Sequence, residues 1–195
     1  MSLRFKLLPK SLFLSSAAEV APRLLGARII SRIRRQEVSG KIVEVEAYVQ
    51  DDEACHANRG KTKRNSAMFG PPGHAYIYQI HKSFCLNMVT CPQGVGEAVL
   101  IRAIEPLTGE DIMRKRRFGK KIKVKSRLLT SGPGRVCQAL GLNLHHNGVS
   151  LSGPVLWVCY GPAPRNIEIS ERIGISKNKE ALLRFFDPKS LYLSR

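Results

Sequence analysis

The stretch Gly40-Lys-Ile-Val-Glu-Val-Glu-Ala-Tyr-Val49, running on through Gln50-Asp-Asp-Glu-Ala-Cys-His-Ala-Asn-Arg-Gly60, decides how this chain is read. Residues 40–49 predict a β-strand. Val43, Val45 and Ala47 fall on one face at period two, and Glu44, Glu46 and Tyr48 on the other. Burying a carboxylate is costly unless it is paired or hydrogen-bonded, so a Glu in this strand has either a structural partner or a chemical task. An acidic turn follows, then His56, Arg59 and Gly60. Acid, aromatic, imidazole and guanidinium groups thus lie on one strand and its exit loop.

Outward from this strand, Ser15 or Ser16 is placed to cap a helix that runs to Leu25, with Gly26 as its stop. Pro22 fits such a helix best in a first turn. Strands are expected near 27–33, 41–49, 74–80, 84–89, 98–104 and 154–160, and residues 50–73 read as loop with a turn at Pro71-Pro72-Gly73. Helices are expected at 109–117 and at 134–140, the second stopped by Gly141. The tail 182–193 mixes apolar and basic residues. Regular βαβ alternation is missing from this order, which predicts an α+β fold with a mainly antiparallel sheet and one domain over residues 1–195.

The chain has 195 residues and 43% hydrophobic content, which argues against disorder. Its formal net charge of +17 points to a polyanionic partner, nucleic acid or an anionic membrane surface. No segment approaches the ~18 apolar residues of a membrane span, and the basic N-terminus carries no signal-peptide pattern. Five cysteines, with no C-x-x-C pair, read as free thiols of a reducing compartment.

Several residues interrupt otherwise apolar strands. Tyr76 and Tyr78 share a strand face, as a core pair or as a platform on which a base stacks. Asn87 breaks Phe-Cys-Leu-Asn-Met-Val, and Arg102 breaks Ala-Val-Leu-Ile-Arg-Ala-Ile. Glu46 is the obvious partner for Arg102, and a paired Arg keeps a Glu ionised and able to act as a general base towards water. Residues 114–127 hold nine Lys or Arg and no acid. They read as a solvated basic loop or as phosphate contacts, Arg114 and Lys115 among them. Ser131-Gly-Pro-Gly-Arg135 leads into a helix whose first N–H groups can hold a phosphate. Two metal readings stay open: magnesium on Glu44, Glu46, Asp51, Asp52 and Glu53, and zinc on Cys55, His56 and Cys91, the latter at no standard spacing.

Taken in order, these segments resemble the alkyladenine (3-methyladenine) DNA glycosylases, also called the methylpurine-DNA glycosylase family. The resemblance rests on Gly40–Tyr48, Asp52–His56, Arg59-Gly60, Arg64-Asn65 with Met68-Phe69, and Pro72-Gly73 leading to Tyr76 and Tyr78. Phe84–Asn87, Leu100–Pro106, Ser131–Pro133 with Cys137–Leu140, and Arg172–Gly174 complete it, over nearly the whole chain. It implies a curved, mainly antiparallel sheet flanked by helices, without a helix-hairpin-helix. It implies hydrolysis of the N-glycosidic bond of damaged purines in double-stranded DNA, by a monomer, with no cofactor and no metal. Glu46 matches the general base and Arg102 its partner. Tyr48 and Tyr78 match the aromatic walls around a flipped base, with His56 completing the pocket and backbone groups near Ala54 and His56 reading the purine edge. Asn87 matches a guard against the exocyclic amine of guanine. Arg64, Asn65, Ser131, Gly132, Gly134 and Arg135 are expected at the DNA backbone. The family places a wedging tyrosine three residues after the second pocket tyrosine. Here His81 stands there, flat enough to intercalate but smaller and titratable.

The physical logic agrees. The glycosidic carbon is inaccessible in stacked DNA, so the nucleotide must flip out. Stacking returns roughly 1–3 kcal/mol per aromatic contact, and electron-rich tyrosines attract alkylated, cationic purines. Two other classes fit part of the pattern: a non-catalytic basic nucleic-acid binder, and a metal-dependent nuclease. The short chain leads us to expect a bacterial enzyme in the cytoplasm, and a nuclear one in a eukaryote.

Overall fold

The computed structural model of the chain describes residues 5–119 and 124–194. Its frame is an antiparallel sheet built from β1 (Arg28–Ile33), β2 (Gln36–Tyr48), β3 (Ala75–Ile80), β4 (Ser83–Thr90), β5 (Glu97–Thr108) and β6 (Leu156–Cys159), in the order β3-β4-β5-β2-β1-β6. Two short strands, β7 (Glu168–Ser170) and β8 (Arg184–Phe186), complete it, β8 pairing with both β7 and β2. Strand β2 organises the rest. β5 runs along most of one edge, while its other edge is shared by β1 over residues 36–41 and β8 over residues 44–46. The β2–β5 register shifts on either side of Glu44, an irregularity of the kind that bends a strand, and the sheet curves into a half-barrel.

Helix α1 (Ala17–Arg23) starts where the sequence predicts. Ser16 Oγ accepts the Glu19 N–H, and the Glu19 carboxylate accepts the Ser16 N–H in return, a reciprocal cap. Pro22 sits in the last turn rather than the first, and the helix ends one residue later, so its missing N–H interrupts little. α2 (Glu110–Phe118) and α3 (Pro133–Leu140) also lie close to their expected bounds, α3 stopping at Gly141 with φ +76°. Residues 50–73 form a long loop with one 3₁₀ turn at Ser66–Phe69. The strands β7 and β8, three residues each, are too short to show a period.

Both sheet faces are covered. Val45, Ala47, Ile77, Leu86, Met88, Val99 and Ile101 pack in one cluster with Val20 and Ala21 of α1 and Val136, Ala139 and Leu140 of α3. On the other face the 50–73 loop lays Ala57, Met68 and Phe69 against Tyr76 and Ala98, with Tyr48 and Tyr78 at the margin. All five cysteines are free and buried. Among the described residues no helix is long and apolar enough to cross a membrane. Ile101, fully buried beside Arg102 on β5, should when replaced by Ala lower stability by about 2–5 kcal/mol, read from the shift in denaturant midpoint.

Candidate active site

Alternation and register bring the interrupting residues onto one face. Tyr76 pairs with Asn87, Asn87 with Leu100, Leu100 with Glu46 and Glu46 with Arg184, so a single cross-strand row spans β3, β4, β5, β2 and β8. Tyr48, Tyr78 and Arg102 flank that row. Between it and the 50–73 loop lies a cavity of about 330 Å³, walled by Tyr48, Tyr78, His56 and Asn87 and closed by Ile173 and Gly174. This volume is of the order of a small-molecule site.

Glu46 is fully buried at one end of the cavity, behind Tyr48, Arg102 and Ile173, which are themselves cavity walls. Its Oε1 accepts from the Ile173 N–H at 2.7 Å and lies 3.1 Å from Arg102 Nη1. Its Oε2 accepts from the Tyr48 hydroxyl at 2.9 Å. The expected Glu46–Arg102 pair is therefore present, and Arg102 also reaches Glu44, Nε to Oε1 at 3.2 Å. Burial, reinforced by the Glu46 charge, pushes the Tyr48 phenol far above its ordinary pKa, so it remains a donor to Glu46. Burial, and then the Cys85 thiol, likewise keeps the Tyr78 phenol protonated.

His56 stands edge-on to Tyr78, ring centres 4.5 Å apart, with Nδ1 2.9 Å from the Tyr76 hydroxyl. Tyr76 and Tyr78 lie 5.6 Å apart at 32°, so Tyr76 backs the wall that Tyr78 presents. Burial, and secondly Arg64, hold the His56 imidazole below its ordinary pKa and favour the neutral ring. In the loop before it, the Ala54 N–H donates to Asp52 Oδ1 (2.8 Å) and the His56 carbonyl accepts from Asn65 Nδ2 (2.8 Å). Among the described residues this leaves the Ala54 carbonyl and the His56 N–H without hydrogen bonds. Asn87 Nδ2 donates to the Tyr76 carbonyl (3.0 Å), which orients its amide at the wall.

A second buried pair, which the sequence reading did not join, braces the same loop. Arg172 Nη2 lies 2.5 Å from Asp52 Oδ2, its Nη1 donates to the Ala47 carbonyl, and its guanidinium sits 4.8 Å from the Tyr48 ring centre. The carboxylates weighed for magnesium do not converge. Glu44 and Glu46 face arginines, Asp52 faces Arg172 and Glu53 faces Lys177. Among the described residues no three His, Cys, Asp or Glu are grouped as a metal site.

The residues expected at a DNA backbone divide. Ser131, Gly132, Gly134 and Arg135 line a groove of about 520 Å³ that shares Pro133 with the base-sized cavity. Arg64 is exposed beside His56, and Lys115 is exposed on α2. Asn65 instead is buried, its amide bonded to Thr62, His56 and Gly60 as a tie within the loop. Gly134 also serves packing, because a Cβ there would meet Ser83 Cβ at 2.8 Å. Arg114 turns inward to Glu110, Ser126 and the Val124 carbonyl, and Arg116 and Arg117 reach the Ala139 and Leu129 carbonyls. These arginines fasten α2 to residues 124–129 and to α3. Lys120, Lys121 and Lys123 lie outside the described residues. His81 is exposed in the two-residue β3–β4 turn, φ +50°, where that backbone region is required. Ile80 lines the cavity and is 45% exposed, so a wedge at His81 would act from beside the mouth.

The fold is thus a curved antiparallel half-barrel with a buried carboxylate behind a tyrosine-walled cavity. The chain belongs to the methylpurine-DNA glycosylase (MPG) family, whose model matches residues 11–190. It is 48% identical to a "Putative 3-methyladenine DNA glycosylase" of Nitrosospira multiformis over 186 residues, 94% of this chain and 91% of that one. Proteins of the same name from Carboxydothermus hydrogenoformans and Methanoculleus marisnigri are 43% and 45% identical, covering 97% and 96% of this chain and 99% and 98% of theirs. The chain is accordingly a base-excision-repair DNA glycosylase, a hydrolase of N-glycosidic bonds acting on alkylated purines.

Replacing Asp52 by Ala strands the Arg172 guanidinium in the interior and should cost about 3–5 kcal/mol. Replacing both partners with apolar residues should cost less than the sum of the single changes, a non-additivity that a double-mutant cycle in urea reads directly.

Proposed function

We propose that this glycosylase is monofunctional and that Glu46 is its general base. The observation that carries this reading is the placement of the Glu46 carboxylate: fully buried, held by Arg102, the Ile173 N–H and the Tyr48 hydroxyl, at the end of a cavity of base size. Oε2 accepts one of the hydrogen bonds it can take, which leaves a lone pair for a water. That water attacks the sugar carbon as the N-glycosidic bond breaks. Its proton passes to Glu46, and the bonding electrons leave with the base. The products are a free base and an abasic site, with both strands intact. Arg102 pairs with this carboxylate, which stabilises the cationic character that builds on the sugar.

The same reading assigns the recognition parts. A flipped purine stacks between Tyr48 and Tyr78 with His56 at its side. The Ala54 carbonyl and the His56 N–H offer one acceptor and one donor to the purine edge. Adenine-type bases and hypoxanthine each present one donor and one acceptor there, which suits 3-methyladenine and hypoxanthine. Ethenoadenine and 7-methylguanine belong to the range to be tested, with Asn87 set against the amine of normal guanine. Ser131, Gly132 and Arg135 in the neighbouring groove, with Arg64 and Lys115, take backbone phosphates. The enzyme acts as a monomer on duplex DNA, in the bacterial cytoplasm.

The deciding experiment incubates the protein, in chelator, with duplexes carrying single hypoxanthine, ethenoadenine or 7-methylguanine lesions, followed by alkali. Wild type should give lesion-dependent breaks. Glu46→Gln should lose about 10²–10⁴-fold in rate while keeping duplex affinity. Breaks at full rate in Glu46→Gln would remove the base assignment. The pH dependence tests His56 separately. Its pKa is lowered, so the ring is neutral at neutral pH and gains charge only below the ordinary histidine range. KM for a cationic lesion such as 7-methylguanine should therefore rise on acidification, KM for neutral hypoxanthine should not, and His56→Gln should abolish the difference.

A further inference from the structure

Arg102 meets Glu46 through Nη1, yet much of its guanidinium is held from the opposite side. Nε lies 3.2 Å from Glu44 Oε1 and donates to Ser194 Oγ at 3.0 Å. The Ser194 hydroxyl donates to Glu44 Oε1 at 2.7 Å, and the Ser194 N–H donates to Glu44 Oε2 at 2.5 Å. Ser194 is buried, 8% exposed, and reaches this point from 92 residues away in the chain. It thus touches both partners of the Glu44–Arg102 pair and satisfies both oxygens of Glu44.

We infer that Ser194 is a positioning residue for hydrolysis: by completing the hydrogen bonding of Glu44, it fixes the edge of Arg102 that is presented to Glu46. This rests on the reading of Glu46 as general base. One guanidinium lies within reach of two buried carboxylates, and its division between them depends on how well each is satisfied elsewhere. Glu44 faces Arg102 from β5, Arg184 from β8 at 2.8 Å, and Ser194. Glu46 faces Arg102, the Tyr48 hydroxyl and the Ile173 N–H, with Arg172 beyond Tyr48. Without the Ser194 hydroxyl, Glu44 loses a charge-assisted hydrogen bond and draws the guanidinium towards itself, because an unsatisfied buried carboxylate is costly. Glu46 then loses part of its paired cation, and a buried charge without its partner is disfavoured. Activity needs the ionised form, so the acid limb of the rate profile moves upward.

The test compares wild type, Ser194→Ala, Ser194→Gly, Ser194→Thr and Glu46→Gln on one hypoxanthine duplex from pH 5 to 9, with a thermal melt for each. Ser194→Ala and Ser194→Gly should raise the acid limb of kcat by about one pH unit, roughly a tenfold loss on that limb, with little loss at pH 8 and KM within about twofold. Ser194→Thr, which retains hydroxyl and N–H, should restore the wild-type limb. An acid limb that superimposes on wild type in both Ala and Gly variants overturns the inference. So does a uniform loss at all pH values accompanied by a lower melting temperature, the mark of a purely structural serine. If Glu46→Gln is inactive in those cases, the general-base reading stands without Ser194. An active Glu46→Gln removes that reading, and the inference with it.

Discussion

The site depends on one guanidinium placed between two buried carboxylates. Arg102 touches Glu44 and Glu46, which are two residues apart on β2 and therefore point to the same face. Desolvating such charges is expensive, and the expense is tolerable only where charges balance and remaining lone pairs are filled. Here Arg184 and Ser194 fill Glu44, while Ile173 and Tyr48 fill Glu46. Asp52 and Arg172 repeat the device beside Tyr48. Three carboxylates and three guanidinium groups thus form a nearly neutral ionic layer beneath an aromatic cavity. Loop, sheet and tail all converge on it, so the proposed chemistry and the tertiary structure have the same anchor.

That layer also explains what could be read from the chain and what could not. Local pattern sufficed for β2, for the reciprocal cap of α1 at Ser16 and for the stop at Gly141. Glu46 and Arg102 were legible as partners because each breaks an apolar run that must be buried, and two unlike charges in one interior have few alternatives. Tyr76 and Tyr78 left two readings open. The structure buries Tyr76 behind a half-buried Tyr78, and both line the cavity. The partners of Glu44 left no local trace. Arg184 and Ser194 lie 140 and 150 residues away, in a tail whose strands are too short for periodicity. The basic run misled in part, since charge counting cannot tell an arginine that fastens helices from one that meets a phosphate. Arg114 and Arg117 do the former. Asn65 was likewise drawn to the DNA by its neighbours in sequence, whereas three of the four bonding directions of its amide are taken by two loop carbonyls and one loop N–H.

The electrostatic division of labour follows from depth. Inside, charges cancel locally and fields are short-ranged. Outside, the surplus of basic residues remains, which suits a partner with regularly spaced phosphates and gives an affinity that weakens with salt. The lowered pKa of His56 favours its neutral ring, and Arg102, a charged wall of the cavity, is balanced by Glu44 and Glu46.

The row Tyr76–Asn87–Leu100–Glu46–Arg184 has one more consequence. Its members sit on successive strands β3, β4, β5, β2 and β8 of one sheet, each about 4.8 Å from the next and locked by ladder hydrogen bonds. No hinge separates Tyr76 and Asn87 from Glu46 along this row. On the proposed reading such a site works as a fixed gauge, passing what sits correctly in the slot. Under the proposed roles, that rigidity means the slot cannot be retuned one strand at a time.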